Sequence, residues 1–265
     1  MKIAIIGAGN MGGAVARGLA KGSIIPTSNI YVSNPSTPKL EALKSEFPEI
    51  NTSTNNREVA LAADIIVLAV KPWKVTEVVD EIKPYLDYSR QAVASMVGGL
   101  CIAQLSEWLD KGDRVLPATY VIIPNTAIAT MSSMTFISSA RSTAQRDEQL
   151  LDIFKELGDA MLIDEGVMPA ATSLASCGIA YALRYIRAAM EGGVELGFRA
   201  DDAKHIVMQT LRGAVDVLEA NNTHPEVEID RVTTPGGLTI KGLNAMESAG
   251  FTHSVIEGLR ASTKR

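Results

Sequence analysis

The stretch Lys2–Gly12, KIAIIGAGNMG, decides the fold of the amino-terminal half. The run Lys2–Ile6 predicts a short buried strand, and Gly7, Gly9 and Gly12 follow it with the spacing GxGxxG before a predicted helix. The first glycine allows a tight turn, the second lets the backbone approach a pyrophosphate, and the third lets helix and strand pack closely. Free N–H groups at the helix N-terminus then bind phosphate. The stretch therefore predicts a dinucleotide site, and a glycine turn with a purely structural role is the alternative.

Apolar runs and helical patterns alternate along the first 165 residues. Strands are predicted at 2–6, 29–32, 64–70, 91–97, 115–123, 134–139 and 161–164. Helices are predicted at 12–21, 39–47, 75–83, 102–109 and 144–157. The run Asp64–Val70, DIIVLAV, is apolar after its first residue, as in parallel strands that are buried on both faces. The alternation predicts a doubly wound α/β domain, a Rossmann domain, over residues 1–165.

The remaining residues, 166–265, carry only helical patterns. Helices are predicted at 169–198, 201–220, 240–246 and 254–259. In the second of these, apolar side chains recur on one face, at Val207, Leu211, Ala214, Val215 and Leu218. A hundred residues of helices with broad apolar faces are few for a solitary domain. We therefore predict an all-helical domain that is covered by a partner chain.

Composition and charge argue against several classes of function. The net charge of −5 offers no basic stripe for nucleic acid. Cys101 and Cys177 form no CxxC pair and no signal peptide follows Met1, which predicts a reduced, cytoplasmic protein. Unbroken apolar runs are far shorter than the roughly 18 residues of a membrane span, so no membrane contact is expected. The three histidines lack metal-ligand spacing, and no metal is expected.

The end of the second predicted strand selects the cofactor. An acid at this place would bind the ribose 2′-OH of NAD. The sequence instead reads VSNPST over Val32–Thr37, which contains no acid. Ser33 and Asn34 offer hydroxyl and amide donors to a 2′-phosphate, and Lys39 either adds charge or is a solvated helix residue. NADPH is therefore the expected cofactor, and NADH is possible.

A second glycine-rich segment, Pro235-Gly236-Gly237, interrupts the helical half. It cannot continue a helix, and its glycines leave backbone N–H groups uncovered just before the next predicted helix. Exposed amides at a helix N-terminus form an anion site that a carboxylate can fill. Thr239 follows closely, and it is placed either as the helix N-cap or as a hydroxyl donor to a substrate.

Four motifs together resemble the pyrroline-5-carboxylate reductase family over essentially the full length. They are GAGNMG at residues 7–12, AVKP at 69–72, IPNT at 123–126, and VTTPGGLTIKGL at 232–243, followed by Met246-Glu247 and Gly250-Phe251. The resemblance implies a Rossmann domain, an intertwined helical dimerisation domain and, in some members, a ring of dimers. It also implies reduction of the cyclic imine 1-pyrroline-5-carboxylate to L-proline by NAD(P)H, the last step of proline biosynthesis.

The resemblance further assigns residues to the site. For the cofactor it implies a groove lined by Gly7, Gly9, Asn10, Met11, Gly12, Asn56, Ala69, Lys71 and Pro72, with Val97 and Gly98 beside the nicotinamide. For the substrate carboxylate it implies the loop residues Thr234, Gly236, Gly237, Leu238 and Thr239. The hydroxyl of Thr239 is the candidate partner of the imine nitrogen, which makes Thr239 the candidate catalytic residue.

Two segments depart from the family's pattern. Residues 175–181 read ASCGIAY where the family usually has SGSGPAY, and residues 124–127 read PNTA instead of PNTP. We interpret Cys177 as a buried small residue, because no His or Asp accompanies it. A β-hydroxyacid dehydrogenase is one alternative, but the predicted helix Ser173–Met190 lacks the lysine that such an enzyme needs. A nucleotide-binding relative without catalytic activity is the other alternative.

Overall fold

The computed structural model describes residues 1–263, which fall into two compact units. The first unit spans Met1–Ser176, and the second begins at Cys177. The first unit thus extends beyond residue 165, where the sequence suggested a boundary. Met168 is buried in an apolar cluster with Val121 and Phe136, and the Ser176 hydroxyl donates to the carbonyl oxygen of Pro124 at 3.2 Å. These contacts attach the segment after residue 165 to the sheet.

Eight strands form one sheet in the first unit. They are β1 (Ile3–Ile6), β2 (Ile30–Ser33), β3 (Asn51–Ser53), β4 (Ile65–Leu68), β5 (Ala92–Ser95), β6 (Ala118–Ile123), β7 (Ser133–Ala140) and β8 (Gly158–Leu162). Their order in the sheet is β3-β2-β1-β4-β5-β6-β7-β8. Neighbouring strands run parallel, except that β7 is antiparallel to β6. The first six strands have the doubly wound order, which confirms the predicted Rossmann architecture.

Helices cover both faces of this sheet. They are α1 (Asn10–Lys21), α2 (Thr37–Glu46), α3 (Asn56–Ala62), α4 (Val75–Ile82), α5 (Ile102–Leu109), α6 (Ala144–Lys155) and the short α7 (Met168–Ala171). All four residues of β1 are buried, Ile3 and Ile5 in one apolar cluster and Ala4 and Ile6 in another. The first cluster includes α1 and α6 and the second includes α3, α4 and α5, so β1 is covered on both sides.

From residue 177 to residue 263, every regular element is a helix. These helices are α8 (Gly178–Glu195), α9 (Ala200–Asn221), α10 (Pro225–Arg231), α11 (Leu238–Ser248) and α12 (Phe251–Ala261). Ala203 is the one buried residue in this part of the described chain. Large apolar side chains stand in solvent instead, including Leu183, which is 60% exposed, and Val215, which is 53% exposed. The helical unit therefore lacks a closed core of its own.

One continuous helical stretch, Glu165–Glu195, is long and apolar enough to cross a membrane, judged by length and composition alone. Polar and charged residues interrupt this stretch, so it contains no long unbroken apolar run in the sequence. A single stretch of this kind is weak evidence, since a helix that buries an apolar face against protein has the same composition. The absence of membrane contact stays a prediction.

Candidate active site

The turn between β1 and α1 contains three glycines, of which the fold itself requires Gly7 and Gly12. Gly7 has a φ of +106°, and a Cβ on it would lie 2.6 Å from the carbonyl oxygen of Ala69. A Cβ on Gly12 would lie 2.0 Å from the carbonyl oxygen of Gly7, so only glycine lets α1 pack this closely. No atom lies within 4 Å of a Cβ placed on Gly9, which faces open space. A ligand can therefore approach the backbone at Gly9.

That open space belongs to a groove of about 740 Å³ at the carboxyl ends of β1, β2 and β4. The N-terminus of α1 opens into it, and no side chain caps this helix end, so its first N–H groups remain available to an anion. Eight residues expected to bind the cofactor line the groove: Gly7, Gly9, Asn10, Met11, Asn34, Asn56, Ala69 and Lys71.

Five other residues expected to bind the cofactor do not line the groove. They are Gly12, Ser33, Pro72, Val97 and Gly98. Ser33 is fully buried and donates its hydroxyl to Asn56 Oδ1 at 2.8 Å, so it lies beneath the groove. The side chain of Val97 packs into the core, and Gly98 is exposed. The interpretation of Ser33 as a direct donor to the ribose phosphate is thus corrected, because the last residue of β2 points into the fold.

Asn34 holds the groove's wall together. Its Oδ1 accepts from the backbone N–H of Ala8 at 3.1 Å, and its Nδ2 donates to the carbonyl and hydroxyl oxygens of Ser36 at 3.0 and 2.9 Å. Both ends of the amide are therefore engaged by the protein. Asn34 ties the glycine turn to the loop after β2, and this loop carries the chain on to α2.

Three lysines bring positive charge to the groove: Lys39, Lys71 and Lys74. Lys74 pairs with Glu77 at 2.6 Å, whereas Lys39 and Lys71 form no ion pair among residues 1–263. From the sequence, Lys39 is either a source of charge at the cofactor site or a solvated helix residue, and in the structure it lines the groove. Pro35 and Val70, which belong to the quoted segments VSNPST and AVKP, also line the groove. Six further lining residues were not anticipated from the sequence: Ile6, Thr54, Lys74, Glu77, Val78 and Met96. Thr54 and Met96 directly follow β3 and β5, and Glu77 and Val78 lie on α4, so their position along the chain is the signal that could have found them.

A tyrosine whose pKa is strongly raised lies away from the groove. Tyr120, on β6, lines a separate cavity at the amino ends of the strands. Burial raises the pKa of its hydroxyl to about 12, although a hydrogen bond with Ser142 acts in the opposite direction. Tyr120 therefore stays protonated at neutral pH, and it does not line the groove.

The predicted substrate loop lies in the second unit, before α11. Gly236 has a φ of +70°, which favours glycine. The backbone N–H of Gly237 donates to the carbonyl oxygen of Thr234 at 2.9 Å, and a Cβ on Gly237 would lie 2.5 Å from Thr234 Oγ1. Gly237 therefore closes a tight turn on Thr234. Since its own N–H is used in that turn, the donors left for a ligand are those of the first helical residues, Leu238 and Thr239.

Thr239 is not the N-cap of α11, contrary to one of its two interpretations. Gly237 occupies the cap position without a side-chain hydrogen bond, and Thr239 is already the second helical residue. Its exposed hydroxyl forms no hydrogen bond within residues 1–263. Thr234 and Gly236 line a cavity of about 670 Å³, whereas Gly237, Leu238 and Thr239 do not. The groove and this loop belong to different compact units.

The segment that departs from the family's pattern is helical throughout. Residues Thr172–Cys177 form a π-helical turn that leads into α8. Cys177 is half-buried rather than fully buried as expected, and it forms no disulfide. Tyr181 donates its hydroxyl to the carbonyl oxygen of Gly258 at 3.0 Å, which ties α8 to α12. No group of three or more His, Cys, Asp or Glu side chains within residues 1–263 is arranged to hold a metal ion.

Comparison with known proteins connects both regions to one family. Residues 165–265 match the family described as pyrroline-5-carboxylate reductase dimerisation, and residues 2–98 match the family described as NADP oxidoreductase, coenzyme F420-dependent. Pyrroline-5-carboxylate reductase 2 of Dictyostelium discoideum is 35% identical over 99% of this chain and 91% of that protein. The chain belongs to the pyrroline-5-carboxylate reductase family.

Other pyrroline-5-carboxylate reductases agree along the whole chain. Pyrroline-5-carboxylate reductase 2 of Bacillus subtilis is 31% identical over 100% of this chain and 93% of that protein. Pyrroline-5-carboxylate reductase 1 of D. discoideum is 36% identical over 99% of this chain, which spans 49% of that longer protein. The crystal structure of Plasmodium falciparum pyrroline carboxylate reductase with NADP bound has a TM-score of 0.88 at 29% identity, covering 99% of this chain and 95% of that one. The predicted family, fold and oxidoreductase class are thereby confirmed.

Proposed function

We propose that the groove in the first unit holds NADPH and that the loop before α11 holds 1-pyrroline-5-carboxylate, which the chain reduces to L-proline. The observation that carries the proposal is the glycine turn, because it leaves open space at Gly9 and a bare helix N-terminus beside it. Membership of the pyrroline-5-carboxylate reductase family supports the reaction.

The residues of the groove fit a dinucleotide. Backbone N–H groups at the start of α1 and the open face of Gly9 suit the pyrophosphate, and the unpaired Lys71 adds positive charge. Asn56 offers an amide to the ribose or its phosphate. Bound NADPH supplies the hydride, and the protein's residues bind and orient the reactants.

Lys39 carries the preference for NADPH in this proposal. With Ser33 buried and the amide of Asn34 engaged by Ala8 and Ser36, the free ammonium of Lys39 is the charged group available near the end of β2. A 2′-phosphate would be attracted to it, and no acid in Val32–Thr37 would repel that phosphate. NADH, which lacks the phosphate, gains nothing from this lysine.

The substrate carboxylate fits the N-terminus of α11. The N–H groups of Leu238 and Thr239 have no partner within residues 1–263, and the positive end of the helix dipole favours an anion. The exposed Thr239 hydroxyl is the candidate partner of the imine nitrogen. An imine nitrogen is basic enough to arrive protonated or to take its proton from such a hydroxyl or from water. Thr239 therefore orients the C=N bond for hydride addition to its carbon.

We propose that the protein works as a cytoplasmic homodimer, or as a ring of such dimers, without contact to membrane or nucleic acid. The match of residues 165–265 to a dimerisation family supports oligomerisation. Contact with a second copy would also account for the apolar surface of Glu165–Glu195 without any membrane.

The proposal is tested by following NADPH oxidation with 1-pyrroline-5-carboxylate as substrate, with proline identified as the product. We expect saturable turnover with NADPH. Binding of NADPH without turnover would favour a non-catalytic relative. Oxidation of β-hydroxyacids with NADP⁺, in place of imine reduction, would favour the dehydrogenase alternative. A six-membered imino acid in a parallel assay measures how the altered residues 175–181 affect ring size.

A further inference from the structure

The side chain of Asn56 in the groove is held at both ends of its amide by other side chains. It is the first residue of α3 and lines the groove. Its Oδ1 accepts from the hydroxyl of Ser33 at 2.8 Å, and its Nδ2 donates to Glu81 Oε2 at 2.8 Å. One hydrogen on Nδ2 and one lone pair on Oδ1 remain for a ligand. Ser33 and Glu81 together decide whether Oδ1 or Nδ2 of Asn56 faces a given part of the groove.

The two partners are not equivalent. A serine hydroxyl both donates and accepts, so Ser33 can bond to either end of the amide. A carboxylate only accepts, so Glu81 must face the NH₂ end. Glu81 therefore decides the orientation of the Asn56 amide, and the hydroxyl of Ser33 adjusts to it.

Glu81 itself stands outside the groove. It lies near the end of α4, its side chain is 32% exposed, and it is not among the lining residues. Its other oxygen, Oε1, lies 3.9 Å from Arg57 Nε, a distant and half-exposed pairing. Glu81 therefore reaches a ligand in the groove only through Asn56.

We propose that Glu81 is a positioning residue for cofactor binding, which fixes the amide of Asn56 with its remaining N–H directed to oxygens of NADPH. The inference rests on the proposed cofactor role of the groove. When the carboxylate is replaced by a group that both donates and accepts, the amide can turn over. The binding-competent orientation is then only part of the population, and the apparent affinity falls with it.

If charge alone mattered, removing the Glu81 carboxylate would change the affinity for NADPH in the opposite direction. Glu81 is a negative charge on a helix that lines the groove, and NADPH carries several negative phosphate charges. Removing the charge would strengthen cofactor binding if the charge were the main effect. Removing a positioning contact weakens binding. The direction of the change therefore separates the two explanations.

The experiment measures the dissociation constant of NADPH by fluorescence titration, together with kcat, KM and the melting temperature, for the full-length protein. For Glu81→Gln we expect a dissociation constant raised about three- to tenfold, with kcat at saturating cofactor and the melting temperature close to wild type. Glu81→Asp keeps the charge and withdraws the carboxylate from Asn56, so it should raise the constant as well. The matched control is Asp80→Asn, an equal charge change at the preceding residue, which pairs with Lys83 at 2.7 Å and lies outside the groove.

A double-mutant cycle supplies the decisive readout. In an Asn56→Ala background, Glu81→Gln should change the dissociation constant no further, because its effect passes through the missing amide. Arg57→Ala should leave the constant unchanged. The positioning role is overturned if Glu81→Gln leaves the dissociation constant of NADPH unchanged or lowers it. It is also overturned if Glu81→Gln raises that constant by the same factor in the Asn56→Ala background as in the wild type. Normal turnover by the wild-type protein would leave the proposed function intact in either case. A wild-type protein that binds no NADPH would instead overturn the proposed function and this inference together.

Discussion

At the scale of single residues, Lys39 is the proposed determinant of cofactor preference. For Lys39→Glu we expect the KM for NADPH to rise about five- to thirtyfold, since an attraction to the 2′-phosphate becomes a repulsion at a solvent-exposed site. The KM for NADH should change far less. Steady-state kinetics with both cofactors measures the ratio.

Lys44→Glu is the matched control, because Lys44 lies on the same helix but not in the groove. If Lys39→Glu and Lys44→Glu raised the KM for NADPH equally, Lys39 would act only through the net charge of the protein. Ser33→Asp, which the sequence alone suggests for this purpose, is unsuitable. It would bury a carboxylate where a fully buried hydroxyl now bonds to Asn56, and it would lower stability rather than report on the ribose.

Gly237 closes the turn that shapes the proposed substrate loop. Gly237→Val should lower kcat/KM about ten- to a hundredfold, because its Cβ would meet Thr234 Oγ1 at 2.5 Å and displace the start of α11. The dissociation constant of NADPH should stay near wild type, since the groove is in the other unit. Kinetics and a fluorescence titration test both parts. Near-normal efficiency in a folded Gly237→Val protein would place the substrate elsewhere.

The position of Thr239 inside α11 separates its structural role from its proposed role in substrate binding. Since Gly237 is the N-cap of α11, Thr239→Ala removes no cap and should leave the melting temperature almost unchanged. Loss of a hydrogen bond to the substrate nitrogen should lower kcat/KM about three- to tenfold. Thermal melts and kinetics on the same preparation distinguish the outcomes. A large drop in melting temperature with normal kinetics would assign Thr239 a structural role.

At the scale of elements, Glu156 joins the end of α6 to the loop after α1. It accepts from the backbone N–H of Ser23 at 2.7 Å, from the Ser23 hydroxyl at 2.5 Å and from the N–H of Ile24 at 3.0 Å. Burial opposes ionisation, but these hydrogen bonds outweigh it and hold the pKa of Glu156 below its usual value of 4.5. The carboxylate therefore stabilises the fold above about pH 4.5, and this stabilisation is lost as the pH falls through the lowered pKa.

For Glu156→Gln we expect a loss of about 1 kcal/mol in the free energy of unfolding at neutral pH, because the contacts are solvent-accessible. Chemical denaturation at pH 7 and at about pH 3 should show the difference from wild type shrinking at the lower pH. Glu148→Gln, also on α6, is the control. An equal loss at both pH values would mean that ionisation of Glu156 contributes nothing.

Most elements follow from local pattern, and the exceptions have physical reasons. The helix predicted at 102–109 coincides with α5, and the one at 75–83 differs from α4 by one residue. The strand β3 and the helices α3 and α10 were missed. β3 is three polar residues at the sheet edge, half-exposed, so it has no apolar run to reveal it. β3 is a strand because its backbone pairs with the edge of β2, which is a contact distant in sequence.

At the scale of the whole molecule, the exposed apolar side chains of the helical unit predict an oligomer. Light scattering at micromolar concentration should give a dimer or a multiple of one, and the melting temperature should rise with protein concentration. Val215→Asp should weaken this association, because it places a charge on an apolar face of α9. Leu61→Asp, on an equally exposed side chain of α3 in the first unit, should not. A stable, well-folded wild-type monomer would contradict the argument.

The Rossmann order of elements, the glycine turn, the helical second half and the family are all readable from the residues alone. They depend on periodicity and on residue types that few backbones accept. Tertiary structure alone decided which of the named residues face the groove. Ser33 and Val97 point into the core, and Lys39 faces the groove. The N–H of Gly237 donates to the carbonyl oxygen of Thr234. The reason is that the orientation of a side chain or amide is set by neighbours distant in sequence, as Glu81 sets Asn56.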